Sequence, residues 1–107
     1  MKKQISKPDR HAEICGELND VYRRKNADYG DSFGETFHKL GIISAVTRIT
    51  DKVNRLQSLC VNTAQVTDES IRDTLLDLAN YAIMTVIELE TLEMEDVYGS
   101  NNAGAKP

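Results

Sequence analysis

Basic residues are scarce in the second half of this 107-residue chain: beyond Arg72 only Lys106 is basic, whereas Asp73, Asp77, Glu88, Glu90, Glu93, Glu95 and Asp96 all follow. With a formal net charge of -4, the chain lacks the basic surface by which a protein tracks nucleic acid electrostatically. No direct nucleic-acid partner is expected, and free nucleotides stay open. Cysteine is almost missing: Cys15 and Cys60 stand apart, each in a helical pattern beside apolar neighbours, without C-x-x-C or Cys/His spacing. That excludes a zinc site of the usual kind and predicts two reduced core thiols. Proline occurs only at Pro8 and Pro107, so no periodic segment is broken from within. No apolar run approaches transmembrane length, and Met1 to Arg10 is polar, unlike a signal peptide. A cytoplasmic protein without a membrane partner is the expectation. Phosphate loops of the G-x-x-x-x-G-K-[ST] and G-x-G-x-x-G kinds and the nucleophile elbow are absent, and His11 and His38 have no triad partners, so the common phosphate and acyl-transfer machines are excluded.

What the chain does have is helical periodicity. Ser6 followed by Pro8 makes a helix entry, and Ile14, Leu18, Val21 and Tyr22 share one face, predicting a first helix from about Pro8 to Lys25. The stretch Asn26 to Ser32 has turn chemistry around Gly30, and Ser32 with Glu35 predicts a short helix over Phe33 to Lys39 before Gly41. Ile42, Val46, Ile49, Val53, Leu56 and Cys60 recur in steps of four and three, the seam of a helix packed lengthwise on another. Its partner opens at Thr67 or Asp68 and runs to about Met94, with Ile71, Leu75, Leu78, Ala82, Val86 and Leu89 on one line and further apolar residues beside it. So wide an apolar arc calls for burial on two sides. No segment alternates in the strand manner. The expectation is an all-α fold: a helical bundle of three main helices plus a short one in a single domain, 1–98, with a flexible tail over 99–107. A chain this short has a small core, and completion by a homodimer or homotetramer is expected.

Two charged stripes face this framework. Glu69, Asp73, Asp77 and Asn80 gather on one side of the last helix, where the stripe stops at Met84. Three stacked acids repel one another, and a divalent cation with oxygen ligands, magnesium above all, would offset them. A plain solvated face is the other reading. Arg48, Lys52 and Arg55 form a cationic stripe on the preceding long helix. They suit phosphate, or salt bridges to those same acids. Asp28 and Tyr29 in the turn, and Tyr81 beside Asn80, could bound a nucleotide pocket or simply form a corner and a core position.

Three segments taken together carry a family resemblance: Lys25-x-x-Asp28-Tyr29-Gly30, Asp51-Lys52-x-x-Arg55-Leu56, and Asp68-Glu69-Ser70-Ile71-x-Asp73-Thr74-Leu75-x-Asp77-Leu78-Ala79-Asn80-Tyr81-Ala82-Ile83-Met84. In this order the chain resembles the nucleotide-modification-associated domain of type one, widespread in phage-like genomes, over about Lys25 to Leu92. More distantly it is similar to the MazG-like all-α nucleoside triphosphate pyrophosphohydrolases, which present acidic pairs to magnesium. It departs from them in having only Asp51 on the second long helix and i, i+4 acids on the third. The resemblance implies Glu69, Asp73 and Asp77 as metal ligands, Lys52 and Arg55 as phosphate-binding residues, to which the cationic stripe adds Arg48, and Asp28, Tyr29, Asn80 and Tyr81 as nucleotide-binding residues. It assigns no catalytic residue. It implies a magnesium-dependent pyrophosphohydrolase or, as the alternative, a non-catalytic binder that sequesters a nucleotide or nucleotide-derived signal.

Overall fold

In the computed structural model, which describes residues 4–61 and 68–102 and, of their side chains, 4–61 and 70–93, the chain is all-α. Its order is α1 (Lys7–Tyr29), α2 (Ser32–Leu40), α3 (Ile42–Val61) and α4 (Asp68–Asn102), with no strand among the described residues. It divides into two compact units, Met1–Ser32 and Phe33–Pro107.

The first unit is α1. Its start follows the sequence signal: Ser6 has extended backbone, its hydroxyl accepts the Asp9 amide at 3.2 Å, and Pro8 occupies the first turn where no N–H is needed. Its end does not. Asn26 to Tyr29 continue the helix, and the break comes at Gly30, whose φ of 67° lets its N–H return to the Asn26 carbonyl at 2.8 Å. The turn expected from Asn26 therefore begins four residues later, because nothing before the glycine forces a break. Only Leu18 of this helix is buried, and Cys15 is exposed, 3.7 Å from His11 Nδ1 one turn back.

In the second unit Gly41, at φ 82°, separates α2 from α3; its N–H closes α2 on the Phe37 carbonyl and its own carbonyl receives the Ser44 N–H and hydroxyl. α3 and α4 run antiparallel, as Lys52 meets Asp77 and Arg55 meets Thr74. The α2 residues Phe33 and Phe37 form the core with Ala45, and Tyr81, Met84 and Leu92 of α4 pack against it. Beside that core His38 Nε2 lies 3.2 Å from Glu88 Oε1. Buried Thr74 and Thr85 give their hydroxyls to the carbonyls of Ser70 and Tyr81 in their own helix, so α4 presents small satisfied residues where neighbours approach closely.

The contact seam is shifted from the one expected, of whose residues Ile49, Leu56, Ile71 and Leu78 are half-buried. Ile42, Val46, Val53 and Cys60 on α3, and Leu75, Ala82, Val86 and Leu89 on α4, are exposed. α3 is rotated so that Ala45 is fully buried and Lys52 faces α4. Neither cysteine is a core residue: Cys60 lies on the exposed side of α3 and Cys15 is exposed on α1. Helix α4 also extends beyond Met94 to Asn102, taking in Gly99 and Ser100; Thr67 and residues 103–107 lie outside the described residues. No described helix is long and apolar enough to cross a membrane.

Candidate functional site

The two charge stripes come together at one pair, Lys52 of α3 and Asp77 of α4. Steps of four and three bring Arg48, Lys52 and Arg55 to one flank of α3, and antiparallel packing sets that flank beside Thr74, Asp77 and Tyr81 of α4. Lys52 Nζ donates to Asp77 Oδ2 at 3.0 Å, with the two side chains a quarter and a third exposed. The same ammonium stands 6.0 Å from the centroid of the Tyr81 ring, at the outer limit of a cation–π contact. One turn on, Arg55 Nε donates to the Thr74 hydroxyl at 3.3 Å, while Arg55 as a whole is exposed. One turn back, the Arg48 guanidinium lies 5.7 Å from the centroid of the Phe33 ring. Phe33 in turn stacks on Tyr81, centroids 5.9 Å apart and 19° between planes.

Three cations on successive turns are thus each oriented by a different neighbour: a ring, a carboxylate and a hydroxyl. This arrangement suits an incoming polyanion. An arginine whose Nε is held by a hydroxyl has its planar fork oriented, and a lysine acts as a point charge whose present counter-ion a phosphate could replace.

Of the other residues singled out from the sequence, Asn80 is half-buried on α4 and Asp73 is exposed one turn before Asp77. Glu69 belongs to α4, but its side chain lies outside the described residues. Asp28 and Tyr29 fall in the first unit as the last two residues of α1, both exposed and helical instead of forming a turn. Met84, at the end of the polar stripe, packs against the α2 core.

Among the described residues, no three His, Cys, Asp or Glu side chains converge as a preformed cation cage. Magnesium is also held in a second way, by one or two carboxylates together with the phosphates of its substrate. Asp73 and Asp77, a helical turn apart on α4, fit that second mode; Asp77 already has a lysine as counter-ion.

Two contributors do not stand out in the sequence as site residues. Thr74 is visible there only within a family segment, yet its burial and its contact with Arg55 make it a fixed point of the site. Phe33 carries both Arg48 and Tyr81; its i, i+4 spacing with Phe37 in a nine-residue helix is the available signal.

The fold and site define an all-α protein with a cation-lined, carboxylate-countered seam between two antiparallel helices. The chain belongs to the nucleotide modification associated domain 1 family, whose model matches residues 25–89, the stretch that holds α2, α3, the seam and most of α4. No curated protein and no solved structure matches it.

Proposed function

We propose that the chain binds a nucleotide by its phosphates along the α3–α4 seam, and that with magnesium it hydrolyses a nucleoside triphosphate to the monophosphate and pyrophosphate. The observation that carries this reading is the Lys52–Asp77 pair, with Arg55 held beside it by Thr74, inside the segment matched by a nucleotide-associated family. Lys52, Arg55 and Arg48 would take the phosphates, Asp73 and Asp77 the metal that accompanies them, with Glu69 as the further acid implied by resemblance. Tyr81 and Asn80 on α4 would bound the nucleoside. When bound, magnesium would neutralise the phosphate chain and polarise its phosphorus–oxygen bonds towards an attacking water. The chain's own part is to hold the phosphates in line and to keep a carboxylate ready as the lysine changes partner.

A second reading is favoured by one specific feature: Asp77 is neutralised by Lys52 before any ligand arrives. A seam built this way can sequester a nucleotide or nucleotide-derived signal without turning it over. Incubation of the protein, well above trace, with a panel of nucleoside triphosphates and magnesium separates the two. Pyrophosphate release from at least one of them is expected; its absence throughout, with a rise in melting temperature for one nucleotide, transfers the conclusion to sequestration. Neither release nor thermal shift would leave the nucleotide reading without support.

A further inference from the structure

The α3–α4 pair has two flanks, and they are treated differently. On one, α2 lays Phe33 and Phe37 beside Tyr81 and Met84. The other carries the apolar lines of both helices: Ile42, Val46 and Val53 of α3, exposed by 49, 42 and 38%, and Leu75, Val86 and Leu89 of α4, exposed by 48, 53 and 39%. Helical spacing and the antiparallel sense put these six on the same side of the pair, away from Arg48, Arg55 and Asp73.

We propose that this bare flank is a homodimer interface, covered by the same flank of a second copy to complete a four-helix bundle. Three observations select a second copy as the occupant. The first is area. The six side chains expose on the order of 500 Å², and the half-buried residues between them bring the flank towards the ~800 Å² that one partner contributes to a stable interface. The second is charge. Along α3 the line Ile42, Val46, Ile49, Val53, Leu56, Cys60 and along α4 the line Ile71, Leu75, Leu78, Ala82, Val86, Leu89 contain no ionisable group except the Cys60 thiol. Such a surface has nothing with which to select a charged partner, and it matches itself under a two-fold axis without burying an unpaired charge. The third is core size. Among the described residues of the Phe33–Pro107 unit only Phe33, Phe37 and Ala45 are buried hydrophobics, far short of what a helical unit this long needs, as in an obligate dimer whose core is divided between its chains. The flank bearing Lys52, Asp77 and Arg55 is left outside the contact, so the inference does not depend on the nucleotide reading.

Sedimentation of the full chain across micromolar to high-micromolar concentrations tests it. Twice or four times the 12.0 kDa chain mass is expected; a single-chain mass across the whole range overturns the proposal, as does an odd multiple. Val86→Glu would place two unpaired carboxylates in the interface and is expected to weaken association at least about a hundredfold; unchanged association would remove this flank from the interface. Should that variant not fold, the unaltered chain still decides through its own thiols. Cys60 lies in the apolar line and Cys15 on α1, both exposed in the single chain. Alkylation of Cys60 is expected to slow relative to Cys15 as the oligomer forms, and a rate ratio independent of concentration overturns the assignment.

Discussion

The Lys52–Asp77 pair separates a phosphate site from a structural salt bridge once both partners are changed, singly and together, and binding is measured with and without magnesium. Lys52→Met keeps much of the length of the side chain and removes the charge; Asp77→Asn keeps the shape and removes the charge. The atoms are 3.0 Å apart and the side chains a quarter and a third exposed, so the pair sits between the exposed regime of about 0.2–1 kcal/mol and the far stronger attraction of charges in a dry interior. A coupling energy of about 1 kcal/mol in the double-mutant cycle is expected, read at fixed protein concentration from denaturant midpoints. Structural coupling of that size would follow from either role. Ligand binding distinguishes them. With magnesium chelated, Asp77→Asn removes a negative charge from beside the incoming phosphates and frees Lys52, so a nucleoside triphosphate should bind about tenfold tighter, some 1.4 kcal/mol. With magnesium present the same change removes a metal ligand and should weaken binding. Lys52→Met should weaken binding under both conditions. Isothermal titration in the two buffers reads all of this. If Asp77→Asn leaves affinity unchanged in both while the stability coupling persists, the pair only holds helices together and the phosphate assignment fails.

Two further outcomes concern the frame. Among the described residues Phe37 is the most deeply buried large side chain, at 1% exposure; Phe37→Ala should cost about 3–5 kcal/mol, a large share of the total stability of a small domain, and a denaturant midpoint shifted by less than a third of that would show the α2 core to be dispensable. Ser6→Ala removes the hydroxyl that accepts the Asp9 amide and should cost about 1 kcal/mol. The loss should appear as faster amide exchange in the first turn of α1, and unchanged exchange at Asp9 and Arg10 would show that the cap is not what starts the helix.

Much of the secondary structure was legible because its signals are local. Ser6 and Pro8 start α1, Gly41 parts α2 from α3, and the four-and-three spacing of α3 and α4 announces two long helices. The end of α1 was legible only to within a turn, since Asn26 to Tyr29 can continue a helix or leave it and only Gly30 forces the exit. The residues of the seam were also visible as stripes, because charges three and four apart share a face whatever lies opposite.

The sequence by itself therefore determined how many helices there are, where they begin and which residues each presents on a given side. It could not say which of two adjacent sides of α3 turns towards α4. The apolar line Ile42–Cys60 is the natural inner face on hydrophobicity alone, yet Ala45 and Lys52 occupy the contact, with Ile42, Val46, Val53 and Cys60 of that line left exposed and only Ile49 and Leu56 half-buried. That choice is tertiary: α2 brings Phe33 and Phe37 to one flank of the pair, Lys52 gains Asp77 and the Tyr81 ring, and the rotation that satisfies both turns the apolar line outward. Periodicity fixes angles around one helix axis, whereas the angle between two helices is set by everything packed against them.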